Sequence, residues 1–102
     1  MSQISSELSP QEPWYRPDDA QADGLLREAF REIGPDHELS GNRLRAIAKC
    51  AGCDDVIFGL DDGTFAIVHL TWTGRPESPP WPSTRRLGSF TALELAADQH
   101  GH

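Results

Sequence analysis

Apolar residues recur along this chain first at a helical spacing and then, from about residue 42, with a period of two. Ala22, Leu25, Leu26, Ala29, Phe30 and Ile33 follow the i, i+3, i+4, i+7 rule and predict an amphipathic helix with one apolar stripe. Asp18 stands where an N-cap belongs, with Gln21 three residues on. Asp19 and Asp23 suit the positive end of the helix dipole. Gly34 and Pro35 end the segment, and Gly24 inside it costs about 1 kcal/mol relative to alanine, so the first turn is expected to fray.

In residues 42–50, Leu44, Ala46, Ala48 and Cys50 alternate with Arg43, Arg45 and Lys49, with Ile47 among the basic set. The pattern predicts a half-buried strand with a basic outer face, and its alanine content leaves a short helix open as the alternative. Residues 56–60 and 64–72 are rich in β-branched and aromatic side chains and are separated by Asp61-Asp62-Gly63, which is hairpin chemistry. A two-residue turn at Asp62-Gly63 sets Leu60 opposite Phe65, Phe58 opposite Ile67 and Val56 opposite His69. A three-residue loop shifts every pair by one. Both faces of this hairpin are apolar, so one helix cannot cover it. A second helix, the following loop or a second copy of the chain is needed, and a homodimer is compatible with that.

Residues 74–83 carry four prolines and predict a stiff, extended connection. A short edge strand is expected at 84–87. A last helix follows from Thr91, with Glu94 completing a capping box, Phe90 stapling onto Leu95, and Leu93, Ala96 and Ala97 as its packing face. The fold class that results is α+β. A small antiparallel sheet of three to four strands lies between an N-terminal and a C-terminal helix, in the order α-β-β-β-(β)-α. Residues 1–17 read as a mobile tail, 18–99 as a single domain and 100–102 as a C-terminal tail, although Trp14 and Tyr15 are large aromatics for a solvated arm.

Charge narrows the partners. The 102 residues carry a net charge of −7. Nine acids against three arginines lie in residues 1–41, and seven acids against six bases lie in the remainder. Such a chain is repelled by phosphate backbones, so nucleic acid is not expected as a partner, whereas a basic protein would be steered toward it. No basic-then-apolar leader opens the sequence and no run of eighteen apolar residues occurs, so neither a signal peptide nor membrane association is expected. The expected compartment is the cytoplasm.

Three sets of residues have chemistry to offer. Cys50-Ala-Gly-Cys53 has the spacing of half a zinc site, with His69 as the best-placed third ligand. There is no second C-x-x-C, however, and no cofactor is expected. Asp54-Asp55 and Asp61-Asp62 stand at opposite ends of one strand, roughly 17 Å apart at about 3.3 Å per residue, so they cannot act jointly. Asp55 and His69 come to the same end of the sheet and offer an acid–base pair for a small enzyme, but no serine or cysteine is placed with certainty to complete a triad. Trp72 and Trp81 flank the proline-rich loop. Trp72 is expected to pin that loop to the sheet, and Trp81, between Pro80 and Pro82, is the more available.

From Cys53 to Thr84 the string CDDVIFGLDDGTFAIVHLTWTGRPESPPWPST resembles a group of small bacterial proteins that share a DDV-[IL]-F stretch, a D-G hairpin, a V-H-L-T-W strand and a later W-P. The resemblance implies the hairpin fold and a bacterial source, and implies no activity. In size and charge the chain is also similar to immunity proteins and inhibitors. The reading that results is a non-enzymatic protein-binding module of inhibitor or immunity type, acting through Asp54, Asp55, Trp72, Arg75 and Trp81. The Asp55–His69 enzyme and a zinc domain at Cys50 and Cys53 are the alternatives.

Overall fold

In the computed structural model, which describes residues 14–76 and 81–98, five antiparallel strands form one sheet in sequential order. They are β1 (Trp14–Tyr15), β2 (Leu44–Cys50), β3 (Asp55–Leu60), β4 (Phe65–His69) and β5 (Ser83–Leu87). Helix α1 (Asp19–Glu32) lies between β1 and β2, and α2 (Phe90–Asp98) follows β5. The α+β class follows directly, with two helices and a sheet one strand larger than expected. The expected tails fall largely outside the described residues, at 1–13 and 99–102.

The two helices lie on opposite faces of the sheet and build two separate cores. Leu25 and Ala29 of α1 pack with Leu39, Leu44, Val56, Phe58, Leu60, Ala66, Val68 and Leu70. Leu93, Ala96 and Ala97 of α2 pack with Trp14, Ile47, Ala48, Cys50, Ile57, Phe65 and Leu87. The sheet that is apolar on both sides is therefore covered by the chain's own helices, and the apolar surface that had motivated a homodimer is used internally.

Local chemistry sets these elements and corrects several expectations. Asp18 caps α1 as expected, its carboxylate accepting from Gln21 N at 2.8 Å. The Gln21 side chain does not fold back on the cap. It donates instead to the Tyr15 hydroxyl at 2.6 Å and ties the helix to β1. Trp14 and Tyr15, placed by sequence in a tail, pair with Cys50 and Lys49, and Trp14 is buried with its indole N–H donated to Ala97 O at 3.2 Å.

Residues 42–50 supply a strand rather than a helix, but not a uniform one. A bulge between Ala46 and Ala48 turns the later residues over, so Leu44 and Ala46 face α1 while Ile47, Ala48 and Cys50 face α2. The hairpin takes the three-residue loop. Gly63, at φ 87°, closes it with Gly63 N donating to Leu60 O and Leu60 N to Thr64 O, and Gly59 rather than Leu60 stands opposite Phe65. At the C-terminal helix the cap is Ser89, not Thr91, with its hydroxyl accepting from Ala92 N at 3.1 Å. The earlier start places Phe90 against Phe65 with ring centroids 6.1 Å apart and leaves Leu95 exposed, so the expected Phe90–Leu95 staple does not form.

Candidate protein-binding surface

The register brings the sequence-selected residues to one end of the sheet. Asp55 pairs with His69, and His69 pairs with Ser83 on β5. Asp54 precedes β3, Trp72 and Arg75 follow β4, and Trp81 precedes β5, so all belong to the same end. Asp54, Trp72, Arg75 and Trp81 are exposed and Asp55 is half-buried. Both indoles are 51% exposed, which corrects the expectation that Trp72 pins its loop down.

What holds the Trp72 segment is a pair of glutamates that periodicity had left out of the core. In α1 the buried stripe is Leu25, Glu28, Ala29 and Glu32, whereas Phe30, counted among the apolar positions, is exposed. The helix is rotated relative to the expected stripe because Glu28 and Glu32 have backbone donors to satisfy. Glu32 Oε1 accepts from Thr71 N at 2.8 Å and its Oε2 from Trp72 N at 2.7 Å, while Glu28 Oε2 accepts from Gly74 N at 2.8 Å. Arg31 stands 3.5 Å from the other Glu28 oxygen.

These two carboxyls also bond to each other, which splits their acidities. The hydrogen bond from Glu32 is the main influence holding Glu28 below the ordinary glutamate range. Burial is the main influence raising Glu32, and the Glu28 contact adds to it. Together the two carboxyls face three backbone N–H groups. The consequence is a fixed backbone for residues 71–74, with Trp72 at φ 60°, a region that side-chain-bearing residues seldom occupy, and Gly74 at φ 72°.

The other candidates separate from this arrangement. The Asp55 carboxylate meets His69 Nδ1 at 2.7 Å on the α2 side of the sheet. Cys50 is buried and Cys53 half-buried, and neither is in a disulfide. Burial first, and then the contact with Cys50, pushes the Cys53 thiol up to about 11, which removes it from nucleophilic use near neutrality. The turn between them is organised by Lys49, whose ammonium donates to the carbonyls of Cys50, at 2.8 Å, and Cys53. Among the described residues no three His, Cys, Asp or Glu side chains are grouped so as to hold a metal ion. Asp61 and Asp62 serve the hairpin, Asp61 accepting from Asn42 and Asp62 from Thr64 N.

His37 carried no recognisable spacing in the sequence yet is buried at the same end. Leu39 N donates to its Nδ1 at 3.0 Å, so Nε2 carries the proton and donates to Pro82 O at 3.0 Å. The α1–β2 connection thereby anchors the residue next to Trp81. No helix among the described residues is long and apolar enough to cross a membrane. Compared with known protein families, curated proteins and solved structures, the chain matches none.

Proposed function

We propose that the chain is a protein-binding module of inhibitor or immunity type, engaging its partner through Trp72 and the exposed residues around it, Asp54, Asp55, Arg75 and Trp81. The observation that carries this reading is the hold on Trp72. Two buried glutamates fix its backbone in a strained conformation, while the indole stays half exposed. Strain sustained by surrounding contacts clusters at functional positions, and tryptophan on a pre-ordered backbone loses little entropy on binding.

The net charge of −7 favours a basic protein as partner and disfavours nucleic acid. A reducing cytoplasm suits two cysteines that form no disulfide. The test is affinity capture from source-cell lysate with wild type, Trp72→Ala and Trp81→Ala as baits. One stoichiometric protein retained by wild type and lost from Trp72→Ala is the expected result. Equal retention by wild type and Trp72→Ala, or none by any of the three baits, contradicts the proposal.

A further inference from the structure

A second constellation at the same end lies on the α2 side and makes no use of Trp72. Asp55, His69 and Ser83 occupy directly opposite positions on β3, β4 and β5. Side chains at directly opposite positions share a face of the sheet, with Cβ atoms about 4.5–5.5 Å apart between neighbours. That face is the one carrying Ile57, Phe65 and Leu87 toward α2, because residues two apart along a strand point the same way.

The order across the strands is carboxylate, imidazole, hydroxyl. Asp55 Oδ1 lies 2.7 Å from His69 Nδ1. A carboxylate partner there assigns the ring proton to Nδ1 and leaves Nε2 with its lone pair. Asp55 on β3 and Ser83 on β5 flank His69 from its two sides. Ser83 is exposed and His69 is 49% exposed at its side chain, so a small molecule reaches both from solvent.

We propose that Ser83, His69 and Asp55 form a nucleophile site for acyl transfer from small carboxylic esters. Ser83 Oγ attacks the ester carbonyl carbon while His69 Nε2 takes the hydroxyl proton. The carbon–oxygen bond to the alcohol breaks, and that proton passes to the departing alkoxide. Water then attacks the acyl-serine by the same base, releasing a carboxylic acid and restoring the hydroxyl. Asp55 is the positioning residue, holding the imidazole in the required tautomer.

The site is open to a direct test on the full chain, using a fluorophosphonate as probe and peptide mass spectrometry to locate the adduct. The expected adduct is at Ser83, is absent in Ser83→Ala and forms at least about a hundredfold more slowly in His69→Gln, the usual scale of lost general-base assistance. Asp55→Asn slows the bond-forming step of labelling while leaving the affinity for the probe unchanged, a rate-against-affinity split that a merely structural role does not produce. Ser83→Ala, which lies outside the protein-binding surface, is expected to retain the captured partner, so a failure of this site is distinguishable from a failure of that reading. An unlabelled Ser83, or labelling that His69→Gln slows by less than that factor, overturns the proposal. Since Ser83 is exposed and His69 is half exposed, thermal unfolding of Ser83→Ala and His69→Gln is expected to match wild type.

Discussion

Trp72 and Gly63 both adopt positive φ, for different reasons. At Gly63 the conformation is demanded by the three-residue hairpin loop, and glycine meets it without strain. Gly63→Ala is expected to cost about 1–2 kcal/mol in chemical denaturation. At Trp72 the side chain opposes the conformation and the glutamates impose it. Replacement by glycine relieves about 1–2 kcal/mol of strain while adding about 1 kcal/mol of unfolded-state entropy. Trp72→Gly is therefore expected to hold stability within about 1 kcal/mol of wild type while partner binding is lost. A large loss of stability in the same denaturation experiment would mean that the indole serves packing and not recognition.

The element scale is where Glu28 and Glu32 act, by joining α1 to the segment after β4. Glu32→Ala strips the acceptors from two part-buried amides, Thr71 and Trp72, and is expected to cost about 2–4 kcal/mol at roughly 1–3 kcal/mol for each unpaired donor. The pH dependence has two limbs. Glu32 is raised, so its contribution is full below the unfolded value of 4.5 and is lost as pH rises through its folded pKa. Glu28 is lowered, so its contribution is present above 4.5 and is lost as pH falls through its folded pKa. The melting temperature is therefore expected to pass through a maximum in the weakly acidic range. Glu32→Gln, which cannot ionise, is expected to flatten the limb on the alkaline side.

Most elements were legible in the sequence because periodicity and caps report them: α1 with its Asp18 cap, the hairpin around Asp61-Asp62-Gly63, and the edge strand before the last helix. Three features were not. The bulge at Ala46–Ala48 is invisible to a strict alternation, since a single extra residue reverses the facing without changing the residue types. The start of α2 lies before the expected Thr91, because Ser89 takes the cap and Phe90 packs on Phe65. Glu28 and Glu32 lie outside the apolar stripe, and nothing local in a helix announces that distant amides, some forty residues on, will claim its carboxylates. The candidate surface was correctly gathered at one end of the sheet by hairpin logic. Its organising contacts come from α1, which the sequence reading had assigned only to packing.

At the scale of the whole molecule, five strands are sandwiched between two single helices, so each helix alone seals one core. Trp14 closes the α2 side at the far edge and donates its indole N–H to the last turn of α2. Trp14→Ala is expected to cost about 3–5 kcal/mol and to loosen α2 before α1, as read by hydrogen exchange of the two helices. A uniform loosening of both would show the two cores to be one cooperative unit. The layered arrangement also leaves the end bearing Trp72 and Trp81 exposed: both sheet faces are already occupied, and the connections at this end are anchored from beneath, by Glu28 and Glu32 on one side and by His37 on the other.

The account depends most on the claim that Trp72 is pre-ordered by the two carboxyls, and amide hydrogen exchange at Thr71, Trp72 and Gly74 measures this directly. Protection of all three by about a hundredfold or more, falling to near unprotected rates at Thr71 and Trp72 in Glu32→Ala while β3 and β4 stay protected, is the predicted result. Unprotected amides at these positions in the wild-type chain would contradict it, because a segment free to exchange is not a rigid platform for recognition.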